Sequence, residues 1–528
     1  MACSDRDIDD SDEKKLLDIG GSVKEKFVKS RILHATAFGK DLLKLSEAAG
    51  VLYIAPVRKM RPSLDYATSA MQVTETIRSQ WTGAGVGIAV IDSGLDSHPD
   101  FKFRLVYEQS FFQASLIDVQ DSYGHGTHVG GIIAGDSSGT RVEGVQTRKL
   151  MGVAPMANLI NLKVLDANGN GTDAMVIAAI ERTIQLKNIY NIRVANLSLG
   201  RPVFESYKVD PLTRAVEALW RNGIVVVVAA GNYGRDNTAG TKGYGTITSP
   251  GNHPLVITVG ATRTMSTYGR SDDQMASYSS KGPTAIDHIV KPDLVAPGNS
   301  IASSVYLKTN TMVANYPQNV IPFNYFTNSP NSSPFYRYFW MSGTSMAAPM
   351  VSGAAALLLQ QDPSLTPDQV KARLMRSAAK ILPVFSTATD PATGIAYDIQ
   401  GDLFTVGAGY VDVQAALADT SKLTGPAASP VASYRDGKVY LSFANSALWG
   451  ESALWGESAL WGEKTIFGAN LFLTGSSALW GESALWGERK TQGFSALWGE
   501  SALWGESALW GESVVANSAD QLKAYGDK

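Results

Sequence analysis

Ser342-Gly343-Thr344-Ser345-Met346-Ala347-Ala348-Pro349 sets a serine among small residues, ahead of the apolar run Met350, Val351, Ala354 to Ala356 and Leu357 to Leu359. A run that is apolar nearly all round reads as a buried helix. Pro349 is compatible with that helix if it falls near the first turn. Ser345 then stands at a helix start, where free backbone N–H groups and the dipole favour negative charge. Two readings stay open. The hydroxyl can cap the helix, the commoner role of a single serine there. It can also be a nucleophile whose neighbours steady an oxyanion, and that reading needs partners elsewhere in the chain.

The bulk properties exclude several classes. With 528 residues, 44% hydrophobic and 18% charged, the chain is an ordinary globular sequence. The length allows about three or four domains. A net charge of −3 gives no general attraction to nucleic acid or anionic membrane. The sole cysteine, Cys3, permits neither an intramolecular disulfide nor a cysteine zinc cluster. No run reaches the roughly 18 apolar residues of a membrane span.

Outward from Ser345, the pattern is that of an α/β protein. Val86 to Ile91 is continuously apolar, the mark of a strand buried on both faces, and it ends on Asp92. Leu159 to Leu165, Val194 to Leu199, Ile224 to Ala230 and Leu255 to Val259 repeat the pattern, with helical stretches at Ala174 to Lys187 and Leu212 to Arg221. This alternation predicts a doubly wound, mostly parallel sheet with helices on both faces. Ligands of such sheets bind beyond the carboxyl ends of the strands, where Asp92 and Asn232 fall. Thr366-Pro367-Asp368-Gln369 reads as a capping box with proline at the first helical position. Residues 299 to 340, rich in Asn, Ser and aromatics, read as a long loop, either a cleft wall or a surface loop packed on itself.

Three stretches share one chemical requirement. Asp92-Ser93-Gly94 lies at a strand end, Gly124-His125-Gly126-Thr127-His128-Val129-Gly130 opens a small-residue helix, and the third carries Ser345. A serine nucleophile needs a base, and a histidine base needs a carboxylate to hold its tautomer. A fourth stretch, Ala229-Ala230-Gly231-Asn232, ends a buried strand with an amide able to donate to an oxyanion.

These four stretches, with Gly152-Val153-Ala154-Pro155 and Ala296-Pro297-Gly298, resemble the subtilisin-like serine peptidases, the subtilase family, over roughly residues 75 to 418. The order Asp, His, Ser is subtilisin's own, taken from the family and not worked out from the residues. The resemblance implies that Asp92 orients His125, that His125 is general base then acid, and that Ser345 attacks. Asn232 joins the Ser345 backbone N–H at the oxyanion. Peptide bonds of protein or peptide substrates are then cleaved through an acyl-enzyme, with no cofactor required for the chemistry. Ser198, Leu199 and Gly200 resemble the strand that pairs with substrate, and Ala229, Ala230 and Gly231 the facing pocket wall. Small residues on both sides imply room for an apolar side chain.

Two metal-like patterns are discounted. His125 and His128 stand three apart, but His128 is expected in the core. Asp166-Ala167-Asn168-Gly169-Asn170-Gly171 copies the start of an EF-hand loop, yet its twelfth position is Ile177. Structural calcium, common in the family, is not readable here, and no metal ligand is assigned.

The flanks are less distinct. Residues 1 to about 20, with Asp5, Asp7, Asp9, Asp10 and Asp12 close together, read as disordered. Arg31 to Phe38 and Val51 to Val57 read as strands, the second at a sheet edge because of Pro56, with a short helix over Asp41 to Ala48. This α+β segment resembles the later part of the family's inhibitory propeptide, which implies a zymogen cut within about Lys59 to Val73. The acidic N-terminus lacks a signal-peptide layout. Either the true start lies upstream or the enzyme is intracellular, and an extracellular or cell-surface location is expected. After a linker at Gly425 to Pro430, Ser-Ala-Leu-Trp-Gly-Glu occurs eight times, from Ser446 to the copy at Ser507. An even period keeps each position on one face of an extended chain, so a β or turn-rich tail is expected, against a low-complexity tail. It is expected to bind a surface or to pack on the peptidase domain. The expected domains are 1–72, a prodomain-like segment; 73–420, the peptidase; and 421–528, the repeat tail. A non-catalytic protein keeping this fold as a scaffold is the rival reading, and the four intact stretches argue against it.

Overall fold

The computed structural model describes residues 2–442 except 5–9, 19–20, 28–31, 47–50, 55–63, 102, 113–117, 141–147, 239, 307, 328–331, 423–424 and 436–437, together with 514–516 and 526–527. The hexapeptide repeats lie outside the described residues. The chain forms two compact units, Met1–Arg61 and Pro62–Lys528.

The first unit runs β1 (Ala2–Ser4), α1 (Asp10–Leu17), β2 (Ser22–Phe27), β3 (Ile32–Thr36), α2 (Leu42–Ser46) and β4 (Val51–Ile54). Its sheet has the order β2-β3-β1-β4 with antiparallel neighbours, the ferredoxin-like β-α-β-β-α-β arrangement. The stretch expected to be disordered thus supplies a strand and a helix. Its charge density suggested disorder, but Leu16 is buried and Glu13 pairs with Lys26 of β2 at 2.6 Å. Strand β4 lies at the sheet edge, as expected of the second strand, and Pro56 lies outside the described residues.

In the second unit, α3 (Leu64–Ala70) and α4 (Glu75–Gln80) precede β5 (Gly87–Asp92), β6 (Leu105–Ser110), α5 (His125–Ala134), β7 (Asn158–Lys163), β8 (Asn170–Thr172) and α6 (Asp173–Leu186). There follow β9 (Ile192–Leu197), α7 (Pro211–Arg221), β10 (Val225–Ala229), β11 (Ile257–Arg263), β12 (Gln274–Met275) and β13 (Leu294–Pro297). The central sheet has the order β12-β11-β10-β9-β5-β7-β6, with β13 also on β11, and every pair is parallel except β11–β12. The winding reverses around β5, between β7 and β9, so the crevice at the carboxyl ends opens there. Helices α6 and α7 pack together on the sheet. Helix α5 packs on α9 (Thr344–Gln361), and both lie on the sheet as a separate layer.

Residues 299 to 340 are not a loop. They form β14 (Ile301–Ser304), α8 (Thr311–Asn315), β15 (Val320–Pro322) and β16 (Pro334–Met341), with the three strands in an antiparallel sheet of order β14-β16-β15. The aromatics that suggested a loop wall are strand formers. Tyr338 and Phe339 are fully buried, and the Tyr338 hydroxyl donates to Asp100 Oδ1 at 2.9 Å. The capping box at Thr366 is present in both halves and starts α10 (Pro367–Ser377). Gly425 to Pro430 is no free linker: the Ala427 N–H donates to Asp368 Oδ1 at 2.6 Å, and the Ser429 hydroxyl to Asp293 Oδ1 at 2.5 Å.

Candidate active site

Because the β5, β9 and β10 strands run parallel, their carboxyl ends come out on one edge. Asp92 closes β5, Ser198-Leu199-Gly200 follows β9, and Ala229 to Asn232 lead out of β10. The amino ends of α5 and α9 bring His125 and Ser345.

His125 and Asp92 are buried, and His125 Nδ1 donates to Asp92 Oδ1 at 2.7 Å. The same oxygen accepts the Ser93 N–H at 2.7 Å. The second imidazole nitrogen, Nε2, is buried with no hydrogen-bond partner among the described residues. A histidine whose Nδ1–H is fixed on a carboxylate keeps its Nε2 lone pair as a base.

Ser345 is the second residue of α9 and donates its hydroxyl to the Ser198 carbonyl at 3.1 Å. Pro349 is the sixth helical residue, not in the first turn as expected. It has no N–H for the carbonyl four residues back, which belongs to Ser345. The Ser198 hydroxyl takes that place, donating to the Ser345 carbonyl at 2.9 Å. Ser198 in turn accepts from Asn196 Nδ2 at 2.9 Å, and Asn196 Oδ1 accepts from the Ser352 hydroxyl at 2.8 Å. A buried polar chain therefore ties β9 to the underside of α9.

Asn232 Oδ1 accepts the Thr344 N–H at 2.9 Å and the Thr344 hydroxyl at 3.1 Å, which fixes the orientation of its amide. Gly343, at φ +152°, shapes the approach. A Cβ there would lie 3.3 Å from Asn232 Nδ2 in a backbone region that other residues avoid. The segments that follow β9 and β10 meet at Thr248, whose N–H donates to the Ala230 carbonyl at 3.1 Å. Its side chain also lies against both Gly200 and Gly231.

A model of the Subtilase family matches residues 83–409, more than half of the chain, and spans all four stretches that meet here. The chain belongs to the subtilase family. It is 40% identical to serine protease AprX of Bacillus subtilis over 348 residues, 64% of this chain and 71% of that protein. It is 32% identical to subtilisin E of the same organism over 401 residues, 75% of this chain and 83% of that protein. The solved structure of sphericase covers 67% of this chain and 99% of its own at 28% identity, with a TM-score of 0.48. As a subtilase with these relatives, the chain is a hydrolase, a subtilisin-like serine protease.

Around the subtilase site lies a support that the sequence reading missed. Asp121 is fully buried; its Oδ1 accepts from Gly124 N–H at 2.7 Å and the Ser93 hydroxyl at 2.8 Å, and its Oδ2 from Thr127 N–H at 2.8 Å. It thereby caps the helix that presents His125, and burial raises its carboxyl above the usual range. Asp96 accepts the Asp121 N–H at 3.2 Å. Burial, with the Asp121 charge adding to it, pushes Asp96 up to about 7. An aspartate four residues before a helix-opening histidine was the available signal.

His128 is a core residue, with Nε2 facing the carbonyls of Phe339 at 3.0 Å and Ile301 at 3.1 Å. Asp166 Oδ1 accepts from the Asn168 and Asn170 N–H groups at 2.8 and 2.9 Å, so the EF-hand-like segment is a carboxylate-closed turn. Among the described residues no group of three His, Cys, Asp or Glu is placed to hold a metal ion, and no helix is long and apolar enough to cross a membrane.

Proposed function

We propose that this subtilase is a serine endopeptidase working through Asp92, His125 and Ser345, with Asn232 and the Ser345 backbone N–H receiving the oxyanion. The observation that carries the reading is the buried 2.7 Å contact from His125 Nδ1 to Asp92 Oδ1, with Nε2 left unpartnered among the described residues. On this reading Nε2 takes the Ser345 hydroxyl proton as the oxygen attacks the scissile carbonyl. The tetrahedral oxyanion is held by the Asn232 amide and the N–H at the start of α9, where the helix dipole adds to the field. His125 then passes its proton to the leaving amine, and water repeats the sequence on the acyl-enzyme.

Ser198 to Gly200 pairs with an extended substrate, and an apolar side chain enters between that strand and Ala229 to Gly231. The first unit acts as an inhibitory prodomain, and its β-α-β-β-α-β order supports this by exceeding the partial pattern read from sequence. Cleavage falls within about Lys59 to Val73. Burial of Tyr66, Ala67, Ala70 and Met71 favours the early part of that window. The enzyme works outside the cell or on its surface.

Intact mass, with and without a fluorophosphonate, tests the reading. The expected result is one adduct on a chain that has lost its first unit, absent in Ser345→Ala. A folded chain lacking that unit and taking no adduct would remove Ser345 as the nucleophile.

A further inference from the structure

Asp527 has an ordinary sequence context, yet its side chain is fully buried. A carboxylate is withdrawn from water at high cost unless charge and hydrogen bonds replace its solvation. Here they do. Asp527 Oδ1 accepts from Arg235 at 2.7 Å and from the Ser277 hydroxyl at 2.6 Å, and Oδ2 from the Ser277 N–H at 2.5 Å. The backbone is read as well. Asn299 Oδ1 accepts the Asp527 N–H at 2.7 Å, and Asn299 Nδ2 donates to the Asp527 carbonyl at 3.0 Å, as a neighbouring strand would. Arg235 also donates to the Gly526 carbonyl at 3.5 Å.

Contacts that do not involve the occupant also hold Arg235 in place. Asp390 pairs with Arg235 at 3.1 Å, the Ser277 hydroxyl accepts from it at 2.8 Å, and the Tyr278 and Tyr397 rings lie 5.8 and 5.4 Å from its guanidinium carbon. The occupant must be glycine before aspartate. Gly526 has φ +62°, and a Cβ on it would stand 2.2 Å from Ser342 Oγ and 2.4 Å from Asn299 Oδ1.

We infer that Arg235, Ser277 and Asn299 form a binding site for a Gly-Asp peptide unit, and that residues 526–527 of the same chain fill it. The described residues on either side of the hexapeptide repeats are then both held on the second unit. Before the repeats the Ala432 N–H donates to the His288 carbonyl at 2.8 Å, and after them Val514–Ala516 pairs antiparallel with β8. Holding both sides gives the second contact a high effective concentration, so a short motif suffices.

The test uses a Ser345→Ala background, so that the probe is not cut. A chain lacking residues 526–528 is titrated with a fluorescein-labelled peptide of residues 519–528 and followed by anisotropy. Saturable binding is expected, at least tenfold weaker to the full chain and at least tenfold weaker for the Gly526→Ala or Asp527→Asn peptide. Equal binding by full and shortened chains, equal binding of the Gly526→Ala peptide, or no binding to a shortened chain with unchanged circular dichroism would overturn the site. Should the shortened chain not fold, hydrogen exchange on the full chain decides. The Asp527 amide is expected to be protected at least tenfold and to lose protection in Gly526→Ala, whereas exchange at the rate of an unstructured peptide would refute the inference.

Discussion

Ser198→Ala isolates the device that lets a proline sit inside the helix carrying Ser345. The hydroxyl donates to the Ser345 carbonyl, which Pro349 leaves without an intrahelical donor, and accepts from Asn196 Nδ2, both at 2.9 Å. Ser198, Asn196, Ser345 and Ser352 are all buried, so no water replaces the lost partner. Each orphaned buried group costs about 1–3 kcal/mol, and two are created, so the variant should lose roughly 2–6 kcal/mol of stability. That is a large part of the ~5–15 kcal/mol that holds a typical domain. Pro349→Ala restores the N–H that α9 lacks. In the double variant the Ser345 carbonyl regains a donor, and the two substitutions should couple by about 1–2 kcal/mol. Urea unfolding followed by circular dichroism, in a Ser345→Ala background to prevent autolysis, measures all four corners. Additivity within about 0.5 kcal/mol, or a Ser198→Ala cost below about 0.5 kcal/mol, would refute the reasoning.

Asn232→Asp keeps the oxygen that accepts from Thr344 at 2.9 Å but lacks the amide donor, so kcat should fall on the order of 10² to 10³ with KM little changed. That scale is the one known for subtilisin's own oxyanion asparagine and is inherited by family; unaltered kcat would exclude Asn232 from the oxyanion. Asp96 titrates at 3.8 when unperturbed and at about 7 in the fold, so folding takes up a proton between those values. Its contribution is full below about pH 4 and is lost as pH rises through about 7, and Asp96→Asn should flatten that fall in a urea-midpoint series. An unchanged slope would show that the carboxyl is not what titrates. Ser429→Ala removes the donor to Asp293 at 2.5 Å and the acceptor of Lys371 at 2.9 Å, which should cost about 1–3 kcal/mol. A chain ending after Gly425 should therefore melt below one ending after Arg435, and equal melting temperatures would count against it.

What was legible in the sequence follows from range. Val86 to Ile91 and its companions are apolar without a break because helices cover both faces of their sheet, so strand positions could be read locally. The roles proposed for Asp92, His125, Ser345 and Asn232 came through resemblance, since nothing local says that residues 92 and 345 share one edge. The first twenty residues misled because charge density is a compositional signal, whereas the Glu13–Lys26 pair is a tertiary one. Residues 299 to 340 misled because Asn and Ser between the aromatics masked strands that, among the described residues, pair with one another. The burial of Asp527 had no local signature, since its partners Arg235, Ser277 and Asn299 lie more than two hundred residues away.

The departures from local rules gather in one place, and that clustering is itself an argument. A proline sits inside a buried helix, a glycine adopts φ +152° just before it, and a buried imidazole keeps one nitrogen without a partner among the described residues. Taken singly, each is a defect that a stable fold would be expected to remove. Their neighbours offset them specifically: Ser198 replaces the proline's missing donor, Thr344 fixes the Asn232 amide beside the glycine, and Asp92 holds the imidazole. A serine that only caps a helix needs none of these three, so their compensation supports the proposed role of Ser345. The proposed nucleophile would use all three: a rigid helix start, a clear approach for the oxyanion, and a base with an available lone pair.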